Sequence, residues 1–445
     1  MSHKKSLLAA WGAMLFIVTL IACTAGLFML KVLPPIDADR IMRRLPAPAR
    51  QAVNTILFPH PDQLPTPAAP IVNVSSLLTP APSPIPAISP SLIPSVSPSL
   101  YPSVEPTVTS VPPASVSIPT VRAPGPTQAA RSTPASGDGI DVLLTKAKQE
   151  YQGWNNCGPA TLAMNLSFFG WTGNQYDAAK FLKPDTEDKN VSPDQLAAYA
   201  RSVGFQAQPR VNGTLDLIKA FLRAGLPLLI EKGFEPEADL GWMGHYELIV
   251  GFNDLKREFI AMDSYLGAYQ AVPYDELDTY WRQFNRTYVP VYPADQAALV
   301  AQLLGDQLDD ATMWAGALAT AQIEAAAAPD DPFAWFNLGT DDVALNDPAR
   351  AAAAYDQARQ IGLPWRMTWY QFGLFEAYLA VGRYDDVLAL ADATIKVTPN
   401  IEEMYYYKGL ALKAQGNLDG ARSQLELALK RNPNFEPAKA ALAGL

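Results

Sequence analysis

The pattern of hydrophobic and polar residues divides the chain into four segments. Residues 7–30 form an unbroken run of 24 residues without a charge. Residues 59–134 contain 20 of the chain's 40 prolines and very few charged residues. From about residue 139 the hydrophobic residues become periodic, and from about residue 295 the chain is rich in Ala and Leu. Each segment therefore predicts a different kind of structure.

The uncharged run is long enough to cross a bilayer, for which about 20 apolar residues suffice. Two lysines in residues 1–6 precede it, and positive charge favours the cytoplasmic side. We therefore expect a cytoplasmic tip at 1–6, a single transmembrane helix at 7–30, and globular domains on the extracytoplasmic side of the cell membrane. A bacterial lipoprotein is the alternative, because "LIAC" at residues 20–23 looks like a lipobox that would place a lipid on Cys23.

Residues 31–138 connect this run to the first globular segment. Their prolines alternate with Ser, Thr, Val and Ala, a composition that cannot build a packed core and that favours extended polyproline geometry. The sequence therefore predicts a juxtamembrane segment followed by a disordered, Pro-rich stalk.

Residues 139–294 change from helical to strand-like periodicity. Apolar residues with helical spacing, each run ended by a glycine, predict helices that begin near Cys157, Ser192 and Thr214. Short β-branched or aromatic runs then predict strands. These runs are residues 226–234, 245–252 and 257–263. Helices followed by an antiparallel sheet predict an α+β domain.

Residues 295–445 repeat a pattern every 34 residues. Gly382 and Gly416 are 34 residues apart, and so are Pro399 and Pro433. This period, with small residues where paired helices touch, resembles tetratricopeptide repeats. The resemblance implies about four repeats that form an all-α solenoid, with a groove that binds a protein partner.

Composition excludes several classes of function. The net charge of −10 and the isoelectric point of about 4.9 leave no basic face for nucleic acid. Two cysteines, one of them in the uncharged run, cannot supply a disulfide framework, and the absence of clustered Cys and His argues against a zinc site. We expect no metal and no other cofactor.

The candidate chemistry centres on "YQGWNNCGPATLAMNLSFFGW", residues 151–171. Cys157 stands at the start of a predicted helix, after Asn155 and Asn156 as caps, where the helix dipole lowers the pKa of a thiol. The chain has three histidines, and only His245 lies in a globular segment. If Cys157 is a nucleophile, His245 must be its base.

Asp263 and Gln152 complete the predicted constellation. Asp263 ends the strand that follows the strand of His245, so a hairpin would bring the two together and let the carboxylate orient the imidazole. Asp254 and Asn253 are rivals for this orienting role. Gln152 and the backbone N–H of Cys157 can donate to an oxyanion.

These motifs resemble the papain-like peptidase domains of the double-glycine leader peptidase family and, more closely, their stand-alone Peptidase C39-like relatives. The motifs are "QGWNNCGPATLAM", "GHYELIVGF" and "FIAMDS", within roughly residues 145–292. The resemblance implies that Cys157 is the nucleophile, His245 the base, Asp263 the orienting residue and Gln152 the oxyanion donor.

Two departures from the family pattern concern the neighbours of these residues. Gln152 is five residues before Cys157, where papain-like enzymes commonly have six, and Ser264 follows Asp263 in place of the common proline. The transporter modules that accompany leader peptidases are also missing from the sequence.

The sequence therefore predicts a membrane-tethered cysteine peptidase that hydrolyses an amide bond in a peptide or protein substrate. It combines a papain-like α+β domain at 139–294 with repeats at 295–445. Two alternatives remain open: a non-enzymatic scaffold that uses the same fold and the repeats to bind proteins, and an enzyme that transfers the acyl group to an amine.

Overall fold

The computed structural model describes residues 29, 41–42, 44–57, 63–68, 74–78, 141–236 and 240–445. The predicted cytoplasmic tip and the predicted transmembrane run lie outside these residues, apart from Met29. Within the described part of the chain, no helix combines the length and the apolar character needed to cross a bilayer. One short helix, α1, spans Ala47–Leu57.

The first domain packs helices against an antiparallel sheet, which confirms the predicted α+β class. Its helices are α2 (Cys157–Phe168), α3 (Gln175–Leu182), α4 (Pro193–Ser202), α5 (Leu215–Arg223) and α6 (Tyr274–Trp281). Its strands are β1 (Val142–Leu143), β2 (Gln206–Ala207), β3 (Leu228–Phe234), β4 (Met243–Asn253), β5 (Glu258–Asp263), β6 (Gly267–Pro273), β7 (Tyr288–Val289) and β8 (Val291–Tyr292). One apolar core joins α2 to this sheet.

Local signals explain where these helices begin and end. Ser192 forms a capping box with Gln195 at the start of α4, and Thr214 accepts a hydrogen bond from the backbone of Leu217 at the start of α5. Gly170 follows α2 with φ of 92°, a conformation that glycine adopts without strain. The predicted starts of these three helices are therefore confirmed.

The sheet has the strand order β6-β5-β4-β3-β7, with β1 paired to β4, while β2 and β8 form a separate ribbon. On its register Lys232 pairs with His245, and Glu247 pairs with Asp263. Since His245 and Glu247 are two residues apart on β4, they share one face of the sheet. Asp263 is therefore the diagonal neighbour of His245 on that face, within reach of its side chain.

The C-terminal region is helical, as predicted for residues 295–445. Its helices are α7 (Ala297–Leu304), α8 (Asp310–Ala327), α9 (Pro332–Ala344), α10 (Pro348–Ile361), α11 (Gly373–Ala380), α12 (Tyr384–Val397), α13 (Glu402–Ala414), α14 (Leu418–Arg431) and α15 (Glu436–Ala443). From α8 onwards each helix packs against the next one along the chain. Gly382 and Gly416 occupy equivalent turns with φ of 77° and 81°.

Two segments of the predicted stalk, residues 63–68 and 74–78, pack on this helical region. The Arg359 side chain donates to the carbonyl of Pro65 at 2.9 Å, and Gln322 donates to the carbonyl of Leu77 at 3.1 Å. Leu64 and Leu77 are buried in the core of the helical region. The prediction of a disordered stalk is therefore wrong for these segments, because they contribute apolar side chains and backbone acceptors to a neighbouring core.

The first domain and the helical region share an apolar interface near the start of β4. Trp242 stacks on Phe284, with ring centroids 5.7 Å apart, and Tyr370 of the helical region packs against both rings. Arg366 donates to the carbonyl of Trp242 at 3.0 Å. The helical region thus contacts the end of the sheet from which His245 projects.

Candidate active site

Cys157 is the first residue of α2 and is half-buried. The preceding loop places Asn155 at φ of 53° and Asn156 at the N-cap. Contrary to prediction, the side chain of Asn156 makes no capping hydrogen bond, because its amide points to Gln175. Gln175 also accepts from the N–H of Gly153 at 2.7 Å and therefore fixes the loop that presents the thiol.

His245 and Asp263 form a buried pair. Nε2 of His245 lies 3.0 Å from Oδ2 of Asp263, and the side chains are 3% and 0% exposed. The other carboxylate oxygen, Oδ1, accepts from the backbone N–H groups of Tyr265 and Leu266. Phe234 stacks on the imidazole with centroids 4.3 Å apart. The imidazole is therefore held on one edge and on one face.

Cys157 and His245 are close enough for each to shift the pKa of the other. Because Nε2 of the imidazole faces Asp263, Nδ1 is the ring nitrogen available to the thiol. Three of the predicted site residues are thus brought together in the order thiol, imidazole, carboxylate.

The electrostatics of this series favour a thiolate and an imidazolium. Burial raises the pKa of Cys157, but the hydrogen bond and charge of His245 outweigh it, so the thiol pKa is lowered. Burial lowers the pKa of His245, but Asp263 and Cys157 raise it to about 9. Burial likewise raises the pKa of Asp263, whereas His245 and two backbone donors lower it to about 2.

Lys183, which binds the loop before Cys157, also favours the thiolate. Its ammonium group is buried and donates to the carbonyl of Asn155 at 2.7 Å. The charge of Lys183 helps to lower the pKa of Cys157. Nothing in the sequence around Lys183 distinguishes it from a surface lysine, so sequence reasoning missed it.

Gln152 lies beside Ser264, on the loop that follows Asp263. The Ser264 hydroxyl donates to Oε1 of Gln152 at 2.8 Å, and the backbone N–H of Gln152 donates to the carbonyl of Ser264 at 2.8 Å. Because Oε1 is occupied, the Nε2 hydrogens are the donors that the side chain can offer to a substrate. The serine that departs from the family pattern therefore orients Gln152.

Neither rival for the orienting role is near His245. Asp254 is partly exposed and binds Lys219 at 2.6 Å, and Asn253 accepts from the backbone of Lys256 in the hairpin turn. In the part of the chain that the structure describes, no group of three or more His, Cys, Asp or Glu side chains is placed to hold a metal ion.

A small cavity opens beside the thiol. Its walls include Cys157, Glu231 and Gly244, together with Tyr370 from the helical region. Sequence reasoning missed Glu231 and Tyr370, because Glu231 lies within an ordinary strand pattern and Tyr370 is more than 200 residues from Cys157 in the sequence. The candidate site is therefore built by both parts of the protein.

Residues 141–289 match the family model described as "Peptidase_C39 like family", so this part of the chain is a Peptidase C39-like domain. No curated protein sequence matches the chain significantly.

Three solved structures are similar to this domain. One is described as a C39-like peptidase from Bacillus anthracis, with 16% identity, a TM-score of 0.29, and coverage of 35% of this chain and 98% of that chain. Another is a double-glycine-motif protease from an AMS/PCAT transporter in complex with the leader peptide, with 17% identity, a TM-score of 0.27, and coverage of 35% and 96%. The third is the peptidase domain of Streptococcus ComA, a bifunctional ABC transporter, with 14% identity, a TM-score of 0.27, and coverage of 34% and 99%.

Proposed function

We propose that the chain is a cysteine peptidase that hydrolyses a peptide amide bond through Cys157, His245 and Asp263. The observation that carries the proposal is the buried His245–Asp263 pair beside Cys157, with the mutual shifts of the thiol and imidazole pKa values. The match of residues 141–289 to a peptidase family supports it. No residue in this proposal requires a cofactor.

In the first step the Cys157 thiolate attacks the carbonyl carbon of the substrate, and the electron pair of the carbonyl moves onto its oxygen. The Nε2 amide of Gln152 and the backbone N–H of Cys157 stabilise this oxyanion. When the tetrahedral intermediate collapses, the C–N bond breaks and the imidazolium of His245 gives its proton to the leaving amine.

In the second step the thioester is hydrolysed. Neutral His245 takes a proton from a water molecule, which attacks the acyl carbon, and the C–S bond breaks. The carboxylic acid leaves, and the thiolate and imidazolium are restored. Asp263 keeps its negative charge throughout and holds the ring in the orientation that both proton transfers need.

The remaining segments extend this proposal to the whole chain. Residues 7–30 would anchor the protein as a single transmembrane helix, with the peptidase outside the cytoplasm, because the run has 24 residues without a charge. The helices of residues 295–445 would be tetratricopeptide repeats, because their sequence repeats every 34 residues, and would bind a substrate or partner protein.

Hydrolysis of a diverse peptide library by the full chain, purified in detergent, tests the proposal. We expect cleavage by the wild type and by Cys23→Ser, and none by Cys157→Ala. Absence of cleavage by the wild type, together with failure of a thiol-reactive peptide probe to label Cys157, would replace the peptidase by a protein-binding scaffold.

A further inference from the structure

A cavity of about 420 Å³ lies between the first domain and the helical region. Asp194, Arg210 and Glu231 line it from the first domain, and Asp310 and Tyr370 line it from the helical region. Glu231 and Tyr370 also line the small cavity beside Cys157. Glu231 and Tyr370 therefore lie on the walls of both cavities.

Glu231 is a buried carboxyl group in the middle of β3, only 5% exposed. Burial raises the pKa of Glu231, and the hydroxyl of Tyr246, which lies opposite on β4, lowers it by less. That hydroxyl donates its single hydrogen to the carbonyl of Val191 at 2.8 Å. Because that hydrogen is engaged by Val191, the Tyr246 hydroxyl does not fully offset the cost of burying a charge on Glu231, and burial dominates.

The arginines and the lysine that line the two cavities have other partners. Arg210 pairs with Asp310, and Arg201 donates to the carbonyl of Ala207 at 2.7 Å. Lys189 lies over the ring of Trp154, 4.7 Å from its centroid. Among the residues that the structure describes, no lysine or arginine forms an ion pair with Glu231, and burial raises its pKa well above the usual range.

A buried carboxyl group that faces a cavity without a countercharge is costly to ionise, and a cation that enters the cavity removes that cost. A guanidinium or ammonium group would find the Glu231 carboxylate on one side and the Cys157 thiolate nearby. An acidic side chain would gain no ion pair with Glu231, which stays neutral without a cation, and would be repelled by the thiolate. The chemistry of the site thus selects positive charge.

On this geometry we infer that Glu231 determines specificity, and that the preferred substrate is a peptide with a lysine or arginine side chain next to the scissile bond. This inference rests on the proposed peptidase function. Tyr370 also lines both cavities, so on this inference the helical region takes part in substrate selection.

Matched peptides that differ only in charge test the inference. One series carries arginine at each position on either side of the cleavable bond, and its control carries citrulline, which has nearly the same shape without the charge. The full chain in detergent is used as wild type, Glu231→Gln and, as a control, Glu235→Gln. Glu235 is an exposed glutamate just beyond the same strand.

The wild type and Glu235→Gln should cleave the best arginine peptide about 10- to 100-fold more efficiently, by kcat/KM, than its citrulline counterpart, as expected for one charge-assisted contact. Glu231→Gln should bring this ratio close to one. Thermal unfolding of each variant shows whether it folds. If Glu231→Gln fails to fold, the wild-type ratio of kcat/KM for arginine over citrulline peptides is the test of the cation preference, and a ratio near one overturns it.

Binding to Cys157→Ala separates this inference from the proposed function. Cleavage without an arginine preference, or with a preference that survives Glu231→Gln in a folded protein, would overturn the inference and leave the peptidase. Tighter binding of arginine than citrulline peptides to Cys157→Ala, without cleavage by the wild type, would keep the cation site and remove the peptidase. If neither cleavage nor a binding preference is seen, both fall.

Discussion

Tyr370 of the helical region lies over the backbone of Gly244, the residue before His245. A side chain at position 244 would have its Cβ only 3.0 Å from the Tyr370 ring and 2.8 Å from Phe284. Glycine therefore allows the helical region to approach the strand that carries the imidazole. Because Tyr370 also lines the cavity beside Cys157, the helical region forms part of the candidate site as well as a neighbouring module.

The reactivity of Cys157 should show its lowered pKa. In a Cys23→Ser background, which leaves one thiol, we expect alkylation by iodoacetamide at pH 6 to be much faster than for a cysteine of ordinary pKa near 8.5. His245→Ala removes the largest influence that lowers the thiol pKa. It should move the alkylation profile to higher pH.

Mass mapping across pH 5–9 measures this profile. A structural cysteine would react slowly in the folded protein at every pH, and its rate would not respond to His245→Ala. That outcome would remove the nucleophile from the proposal.

The fall in the acylation rate at high pH should reflect the deprotonation of His245. The imidazolium that protonates the leaving amine persists up to its pKa of about 9, so acylation should decline above that pH. Asp263→Asn removes the carboxylate that raises this pKa, and the decline should then begin at lower pH, with a lower maximal rate. Single-turnover acylation rates measured from pH 6 to 10 check both effects.

Asp254→Asn is the matched control for this experiment. Asp254 is also an aspartate next to the β4–β5 hairpin, but it binds Lys219 and lies away from His245. Asp254→Asn should leave the decline in the acylation rate near pH 9. An equal shift in both variants would mean that Asp263 acts only through stability.

The donor role of Gln152 predicts a defect in kcat. Gln152→Ala should reduce kcat by about 10²- to 10³-fold with little change in KM, because an oxyanion donor acts mainly in the transition state. Ser264→Ala should give a smaller reduction, since it frees Oε1 of Gln152 but keeps its Nε2 donors.

Gln270→Ala serves as the control, because the side chain of Gln270 makes only a local contact with the carbonyl of Ala268 on the edge strand β6. Steady-state kinetics on one cleavable peptide compare the three variants. Unchanged kcat in Gln152→Ala would assign the oxyanion to backbone donors alone.

The sequence was sufficient to predict the elements that local signals specify. Ser192 and Thr214 begin helices because their side chains cap them, and Asp263 meets His245 because both lie on strands of one hairpin. Such features depend on residues close in the chain or on the fixed geometry of a β-ladder.

Features that depend on packing between segments far apart in the chain could not be predicted from the sequence. Arg359 donates a hydrogen bond to the carbonyl of Pro65, which is 294 residues away in the sequence. Tyr370 lines the cavity beside Cys157 because its ring packs against Trp242 and Phe284 of the first domain. Composition marks the proline-rich segment as disordered, since it has no periodicity, and cannot indicate that a distant core will bury Leu64.

Gly244→Ala should separate the helical region from the candidate site. The new methyl group would overlap Phe284 and crowd Tyr370, so we expect a loss of stability of about 1–3 kcal/mol from overpacking and a wider, less selective cavity beside Cys157. Gly316→Ala is the matched control, because its Cβ would meet only Asn212, at 3.4 Å, within helix α8, where alanine is favourable. Thermal unfolding and kcat/KM for a cleavable peptide measure the two effects. If Gly244→Ala matches Gly316→Ala in both, the close approach of Tyr370 to the strand of His245 has no functional part in the site.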